Sequence, residues 1–237
     1  LPRKFKTAIA LPEDNCTDVY TNCLGYITVV RDGELIGYNV IVGGGLGVTP
    51  SAKKTFPRLA SRMAFVTKEQ AVAVGEAIVK VQRDFGYRDD RKRARLKYLV
   101  HDKGVEWYRA KVEEYYGSKL ADCTPDDVHE HNDHIGWDEQ GDGRWFYGFN
   151  VENGRLYDNE NRAWKSALRD ICSEINPEIR LTAHQSILFC NIEDKDRAKL
   201  SSLIKKRGLP LSEEISTVRR WSIACVALPT CGLAITE

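Results

Sequence analysis

The sequence predicts an α+β fold made of two modules. Short β-rich runs are joined by Asp-Gly and Asn-Gly turn signals, and each group of runs is followed by segments with helical periodicity. Residues 118–135 separate the two groups, because they are polar, contain Pro125 and lack either periodicity.

Composition sets the broad class of the protein. The chain has 237 residues, 42% of them apolar, so it can bury a sizeable core. The net charge is +1 and no apolar run approaches the roughly 20 residues that span a bilayer, so we expect neither a nucleic-acid nor a membrane partner. The seven cysteines, an odd number, favour a reducing, cytoplasmic location over a disulfide scaffold. Because the first residue is Leu1 rather than Met, we expect a piece of a longer protein.

The first module begins with β-structure. A strand is predicted over Lys4–Ala10, followed by a hairpin of Tyr26–Arg31 and Leu35–Val42 around Asp32-Gly33. Directly after the hairpin comes Gly43-Gly44-Gly45-Leu46-Gly47, a loop whose backbone can approach another group closely.

Three helices are predicted to follow. The first starts at a capping box of Thr67 and Gln70 and stops at Gly86. Its apolar face comprises Ala71, Val74, Ala77, Ile78 and Val81. A second helical stretch runs from Asp89 and Asp90 to Gly104, and a third covers 105–116.

The second module is predicted to start with strands at 144–151 and 155–157, joined by the turn Glu152-Asn153-Gly154. A helix over 162–175, a β-run over 179–192 and a helix over 195–207 complete this unit.

Two lysines near the amino end are candidates for chemistry. Alternate side chains of a strand share one face, so Lys4 and Lys6 are expected to project together. Neighbouring ammonium groups repel each other, and a small anion would relieve that repulsion, while each ammonium can also donate a proton. Composition alone favours the simpler interpretation, a solvated strand end.

Cys225 and Cys231 are separated by five residues in an apolar stretch interrupted by Pro229. Two thiolates so placed can hold one edge of an iron–sulfur cluster. Zinc sites more often use a Cys-x2-Cys spacing, and two buried thiols are the remaining interpretation.

Other charged clusters favour structural interpretations. Arg88–Lys97 contains six Arg or Lys residues, for which we predict a solvated face ahead of an acidic protein partner or a polyanionic cofactor. The loosely spaced His129, His131 and His134 favour a solvated linker over a metal site, and His184 favours a core or interface residue over a ligand.

Taken together, six segments resemble one family, the sulfite reductase haemoproteins. The resemblance runs in order over the whole chain, and only the combined set is specific. The segments are 1–6, 37–46, 82–88, 134–137, 151–155 and 224–231. The sequence departs from the family at His134, where family members often have Arg.

The resemblance implies a domain organisation and two cofactors. Residues 1–130 resemble most of a first sirohaem/[4Fe–4S] domain, 135–207 a ferredoxin-like half-domain, and 208–237 the truncated start of a second sirohaem/[4Fe–4S] domain. The family reduces sulfite to sulfide in a six-electron reaction at sirohaem coupled to a [4Fe–4S] cluster. Its electron donor is ferredoxin or an NADPH-dependent flavoprotein, and the sequence does not distinguish the two.

The resemblance also implies residue roles. Lys4 and Lys6 would hold sulfite and relay protons, while Arg3 and Gly43, Gly44 and Gly45 would contact sirohaem. Cys225 and Cys231 match the first of two cysteine pairs that bind the cluster.

Two alternatives stay open. Related nitrite reductases tend to carry Asn where this chain has Lys6, so Lys6 favours sulfite over nitrite. The family's second pair, Cys-x3-Cys, is absent from this sequence, so the isolated chain is expected to be a non-catalytic scaffold that holds no cofactor.

Overall fold

The computed structural model describes residues 1–49, 52–232 and 234–236. The chain divides into two compact units, Leu1–Asn132 and Asp133–Glu237. Both combine one sheet with helices, which confirms the predicted α+β class. None of the described helices is both long and apolar enough to cross a bilayer.

The first unit is built on a four-stranded sheet in the order β1-β2-β3-β4. Its strands are β1 Thr7–Ala10, β2 Leu24–Arg31, β3 Glu34–Val42 and β4 Ser61–Thr67. Strand β1 is parallel to β2, and the other pairs are antiparallel. The predicted hairpin is confirmed, since Asp32 and Gly33 both have the positive φ angles, 51° and 78°, that a tight primed turn requires.

The strand predicted over Lys4–Ala10 is shorter than expected, because pairing with β2 starts only at Thr7. Lys4 and Lys6 therefore precede the strand. The Lys6 carbonyl still accepts a hydrogen bond from the N–H of Leu24 at 3.1 Å, so the segment continues alongside β2.

Three helices belong to the first unit. They are α1 Ala71–Phe85, α2 Leu96–Lys103 and α3 Val105–Tyr116. The predicted bounds of the third are confirmed. The first ends before Gly86 as predicted but begins at Ala71 rather than next to Thr67, because Thr67 is the last residue of β4. Val74, Ala77, Ile78 and Val81 are buried as expected, whereas Ala71 is half-buried. The second prediction is wrong at its start, because Asp90 caps a short 3-10 turn, Arg91–Arg93, and α2 begins only at Leu96.

Residues 121–131 do not form the solvated linker that their polarity predicts. Ala121 pairs with Phe65 of β4. The fully buried Asn39 of β3 donates to the Thr124 carbonyl at 3.1 Å and to the Asp126 carbonyl at 2.8 Å, and it accepts from the Thr124 N–H at 2.9 Å. Backbone groups of this segment thus find partners on the sheet, which orders it without regular structure.

The second unit carries an antiparallel sheet in the order β5-β6-β8-β7. Its strands are β5 Gly136–Glu139, β6 Trp145–Phe149, β7 Glu178–Leu181 and β8 Ile187–Ile192, and its helices are α4 Trp164–Glu174, α5 Arg197–Lys206 and α6 Thr217–Arg220. Trp164 and Ile171 of α4 and Leu200 and Ile204 of α5 form its buried core with aromatic residues of β6 and β8.

Two strand predictions in this unit are wrong. Residues 155–157 form no strand, because the two edges of β6 are taken by β5 and β8, and Glu152–Gly154 is a 3-10 turn instead. The single β-run predicted over 179–192 is a hairpin of β7 and β8, turned where Gln185 has a φ of 62°.

Replacing Asn39 by Ala should lower the free energy of unfolding by about 2 kcal/mol, because it leaves buried backbone groups of the 121–131 segment without partners. Chemical denaturation of the 237-residue chain measures this. Val72→Ala, at a side chain that is 82% exposed, is the control and should change little. Hydrogen exchange at the Thr124 amide should also accelerate; an unchanged rate would contradict the role of Asn39.

Asp133 and Arg220 form an ion pair in which the carboxylate is 2% exposed. Burial opposes ionisation of Asp133, but hydrogen bonds from Arg220 and from the Ile135 N–H outweigh it and hold the pKa of Asp133 below its usual value. A lowered folded-state pKa stabilises the fold above the unfolded-state pKa, and this stabilisation is lost as the pH falls through the folded-state value.

Asp133→Asn should therefore cost about 2 kcal/mol at pH 7, less than for a fully buried pair because the Arg220 side chain is 39% exposed. The difference from wild type should shrink below about pH 4, where the carboxyl protonates in the unfolded chain. Urea denaturation between pH 3 and 7 tests this, with the exposed Asp138→Asn as control. A difference that grows on acidification would show that the sign is wrong.

Candidate functional site

The register of the first sheet brings several segments to one end. Thr7 pairs with Leu24, Leu24 with Val42, and Val42 with Ser61. The residues just beyond this row are Lys6, Cys23, Gly43 and Ala60. The lysine segment and the glycine loop, far apart in sequence, therefore lie at the same end of the sheet.

Lys4 and Lys6 are both exposed, and Phe5 between them packs against the core of the unit. This alternation is what an extended segment imposes. Neither ammonium group has a salt-bridge partner in the described ranges 1–49, 52–232 and 234–236. Both are thus free to approach a small anion. Arg3 donates one hydrogen bond to the Arg91 carbonyl and keeps its other donors.

The glycine loop is fixed by backbone hydrogen bonds. The N–H of Gly43 donates to the Cys23 carbonyl at 2.8 Å and that of Gly44 to the Asn22 carbonyl at 2.9 Å, while Gly45 pairs with Arg58. A Cβ atom at Gly44 would lie 2.1 Å from the Tyr20 carbonyl oxygen. Glycine is required there by packing within the protein itself.

Three cations surround this loop. The ammonium of Lys97 is fully buried and donates to the carbonyls of Gly45 at 3.0 Å, Gly47 at 2.8 Å and Phe56 at 2.5 Å. Arg58 donates to the Gly43 carbonyl at 2.8 Å. Burial lowers the pKa of Lys97 and of Arg58, and the neighbouring Arg95 lowers that of Lys97 further.

Arg95 lies against the same loop. Its Nη2 is 3.4 Å from both the Gly44 carbonyl and the Cys23 sulfur, and its buried Nε atom has no hydrogen-bond partner. Among the residues described, Arg58, Arg95 and Lys97 form no salt bridge with a carboxylate. A guanidinium with one unpaired nitrogen, beside two other cations and no carboxylate, favours an anionic ligand.

Sequence reasoning missed this cluster. The solvated face predicted for Arg88–Lys97 is wrong for Lys97, which is fully buried, and for the half-buried Arg95. The available signal was the apolar series Leu96, Leu99 and Val100, which places the adjacent residue of α2 near the core.

The two candidate thiolates lie in the second unit. Cys225 is exposed, Cys231 is half-buried, and both are free thiols. The N–H of Cys231 donates to the Ala227 carbonyl at 2.7 Å, which folds the intervening stretch back on itself. Within the described part of the unit, no third Cys, His or carboxylate joins them as a ready ligand group. The pair therefore offers two of the four ligands that a [4Fe–4S] cluster needs.

Two family models match most of the chain. The model of the nitrite and sulphite reductase 4Fe-4S domain matches residues 1–120, and that of the nitrite/sulfite reductase ferredoxin-like half domain matches residues 138–207.

Individual relatives agree with these models. The chain is 43% identical over its whole length to a sulfite reductase [ferredoxin] of Synechococcus elongatus, of which it covers 38%. It is 42% identical to a sulfite reductase [NADPH] hemoprotein beta-component of Shewanella oneidensis, of which it covers 42%. The chain thus spans about two fifths of the length of these curated relatives.

A solved structure shares the fold. The NirA protein of Mycobacterium tuberculosis superposes with a TM-score of 0.79 at 30% identity, over 96% of this chain and 40% of that one. The matched residues of this structure, like those of the two family models, fall in both units. The chain belongs to the nitrite and sulfite reductase family.

Proposed function

We propose that the protein to which this chain belongs reduces sulfite to sulfide. The observation that carries the proposal is the sheet end of the first unit. Two exposed lysines that form no salt bridge with any described residue lie there, at the same end as a glycine loop contacted by three cations. Relatives named as sulfite reductases support this choice of substrate.

The cation cluster fits sirohaem, whose ring bears several carboxylates. Arg95 has an unpaired Nε atom, and the loop Gly43, Gly44 and Gly45 lies against the same guanidinium. Arg3, beside Lys4, donates one hydrogen bond to the Arg91 carbonyl and would use its other donors on a sirohaem carboxylate. Cys225 and Cys231 would supply two ligands to the [4Fe–4S] cluster, with two further thiolates from outside this chain. When bound, these groups supply the electrons of the reaction.

The residues of this chain act on the oxyanion and its protons. Lys4 and Lys6 would bind sulfite through charge-assisted hydrogen bonds to its oxygens. Sulfite takes six electrons and six protons to give sulfide and three waters, and each ammonium can deliver a proton to a departing oxygen before being recharged from solvent. Positive charge beside those oxygens favours the loss of water over the return of the anion to solvent.

Two further observations bear on the electron donor and on the location of the protein in the cell. One relative is named for ferredoxin and another for NADPH, so both kinds of electron donor occur among the relatives. The seven cysteines are all free thiols, which suits a reducing cytoplasm.

Nitrite is the second candidate substrate, since the family model covers nitrite reductases as well. Lys6→Asn in the full-length protein should lower kcat/KM for sulfite at least tenfold and leave that for nitrite within about threefold, because a second ammonium matters most for a dianion. Lys68→Asn, which removes an exposed charge beyond the opposite end of the sheet, is the matched control. Equal losses for both anions would remove the argument that Lys6 selects sulfite.

The cation cluster gives a test that does not depend on turnover. Arg95→Leu in the full-length protein should lower the sirohaem content at least fivefold, because a cation that has no carboxylate partner among the described residues, and whose Nε is unpaired, is then missing. Absorbance of the purified protein measures the cofactor, and circular dichroism verifies folding. Lys92→Leu, an exposed residue of the same basic stretch, should retain full content. Normal sirohaem content in Arg95→Leu would refute the assignment.

A further inference from the structure

The backbone on either side of Cys225 is held by side chains from elsewhere in the second unit. The amide of Gln185 donates to the Ala224 carbonyl at 2.6 Å, and its oxygen accepts from the Ala224 N–H at 3.1 Å. One side chain thus satisfies both polar backbone groups of the residue before the cysteine, as a neighbouring strand would.

Arg155 holds the other side. Its Nη2 donates to the carbonyl of Val226 at 2.7 Å and to that of Leu228 at 3.0 Å. Cys225 therefore lies between two anchored peptide units. Cys231 is tied to the same stretch through its own hydrogen bond to the Ala227 carbonyl.

These two anchors are themselves well supported. Gln185 lies on the β7–β8 turn, where the Thr182 hydroxyl accepts from the N–H groups of His184 and Ser186. A Cβ atom at Gly154, the residue before Arg155, would lie 3.0 Å from the Cβ of Gln185. The two anchoring residues thus project from backbone segments in close contact.

Apolar packing does little to fix the cysteine segment. Val226 is 48% exposed, and Val226, Pro229 and Thr230 form one wall of a cavity of about 860 Å³ rather than filling it. The hydrogen bonds of Gln185 and Arg155 are therefore the main restraints on where the thiol of Cys225 lies.

We propose that Gln185 and Arg155 are positioning residues for Cys225 as a cluster ligand, an inference that rests on the proposed function. Groups that orient a metal ligand contribute to metal retention and set the properties of the centre. An adjacent positive charge favours the reduced, more negative form of a cluster. Arg155 should therefore also raise the reduction potential of the [4Fe–4S] cluster.

The test uses the full-length holoprotein, with three readouts: the rate of iron loss to a chelator, the electron paramagnetic resonance spectrum of the reduced cluster, and its midpoint potential. Gln185→Glu keeps the side-chain length but cannot donate to the Ala224 carbonyl, and Arg155→Gln removes the charge. Both variants should lose iron about tenfold faster and give a broadened spectrum.

Of these two variants, only Arg155→Gln should lower the midpoint potential of the cluster, and Arg155→Lys should restore it. A purely structural role of Arg155 would not produce this dependence on charge. The control is Arg180→Gln, an exposed β7 residue paired with Glu178, which should match wild type. If Gln185→Glu does not fold, Gln185→Asn provides the same iron-loss measurement. Wild-type protein without iron would overturn the proposed function together with this inference. A normal wild-type cluster with unchanged variants would overturn the inference alone.

Discussion

The buried ammonium of Lys97 is the interaction on which the glycine loop depends. Burying a charge without a carboxylate partner is costly, and here three carbonyl dipoles offset the cost. Those carbonyls come from Gly45, Gly47 and Phe56, so one side chain fixes the course of the chain on both sides of residues 50 and 51. The loop then presents its backbone in one arrangement beside Arg58 and Arg95.

The register of the first sheet brings the lysines and the glycine loop to the same end. The parallel pairing of β1 with β2 places Lys6 beside the start of β2, and the antiparallel pairs carry the same row to the end of β3 and the start of β4. A one-residue slip anywhere in this row would turn every side chain to the opposite face. The lysines and the loop therefore share a location only when the whole sheet is formed.

Local signals predicted the local elements well. Asp32-Gly33 defined a hairpin, and Gly117, with a φ of 93°, ended α3 where expected. The strand predicted over 155–157 failed because the partners of β6 are chosen by tertiary pairing, which an Asn-Gly turn cannot reveal. The lysine motif was visible from sequence, and its role stays a prediction. The burial of Lys97 could not be predicted from the sequence, since its carbonyl partners lie about 40 to 50 residues away along the chain.

The crowding of Arg58, Arg95 and Lys97 has an energetic consequence. Like charges held close together in a partly buried place repel each other, and the folded chain bears that repulsion as long as no anion neutralises it. A ligand that binds only the folded form adds stability that grows with the logarithm of its concentration. The supply of such a ligand would thus govern how long the folded protein persists as well as whether it is active. The abundance of the protein would then report on the supply of the ligand.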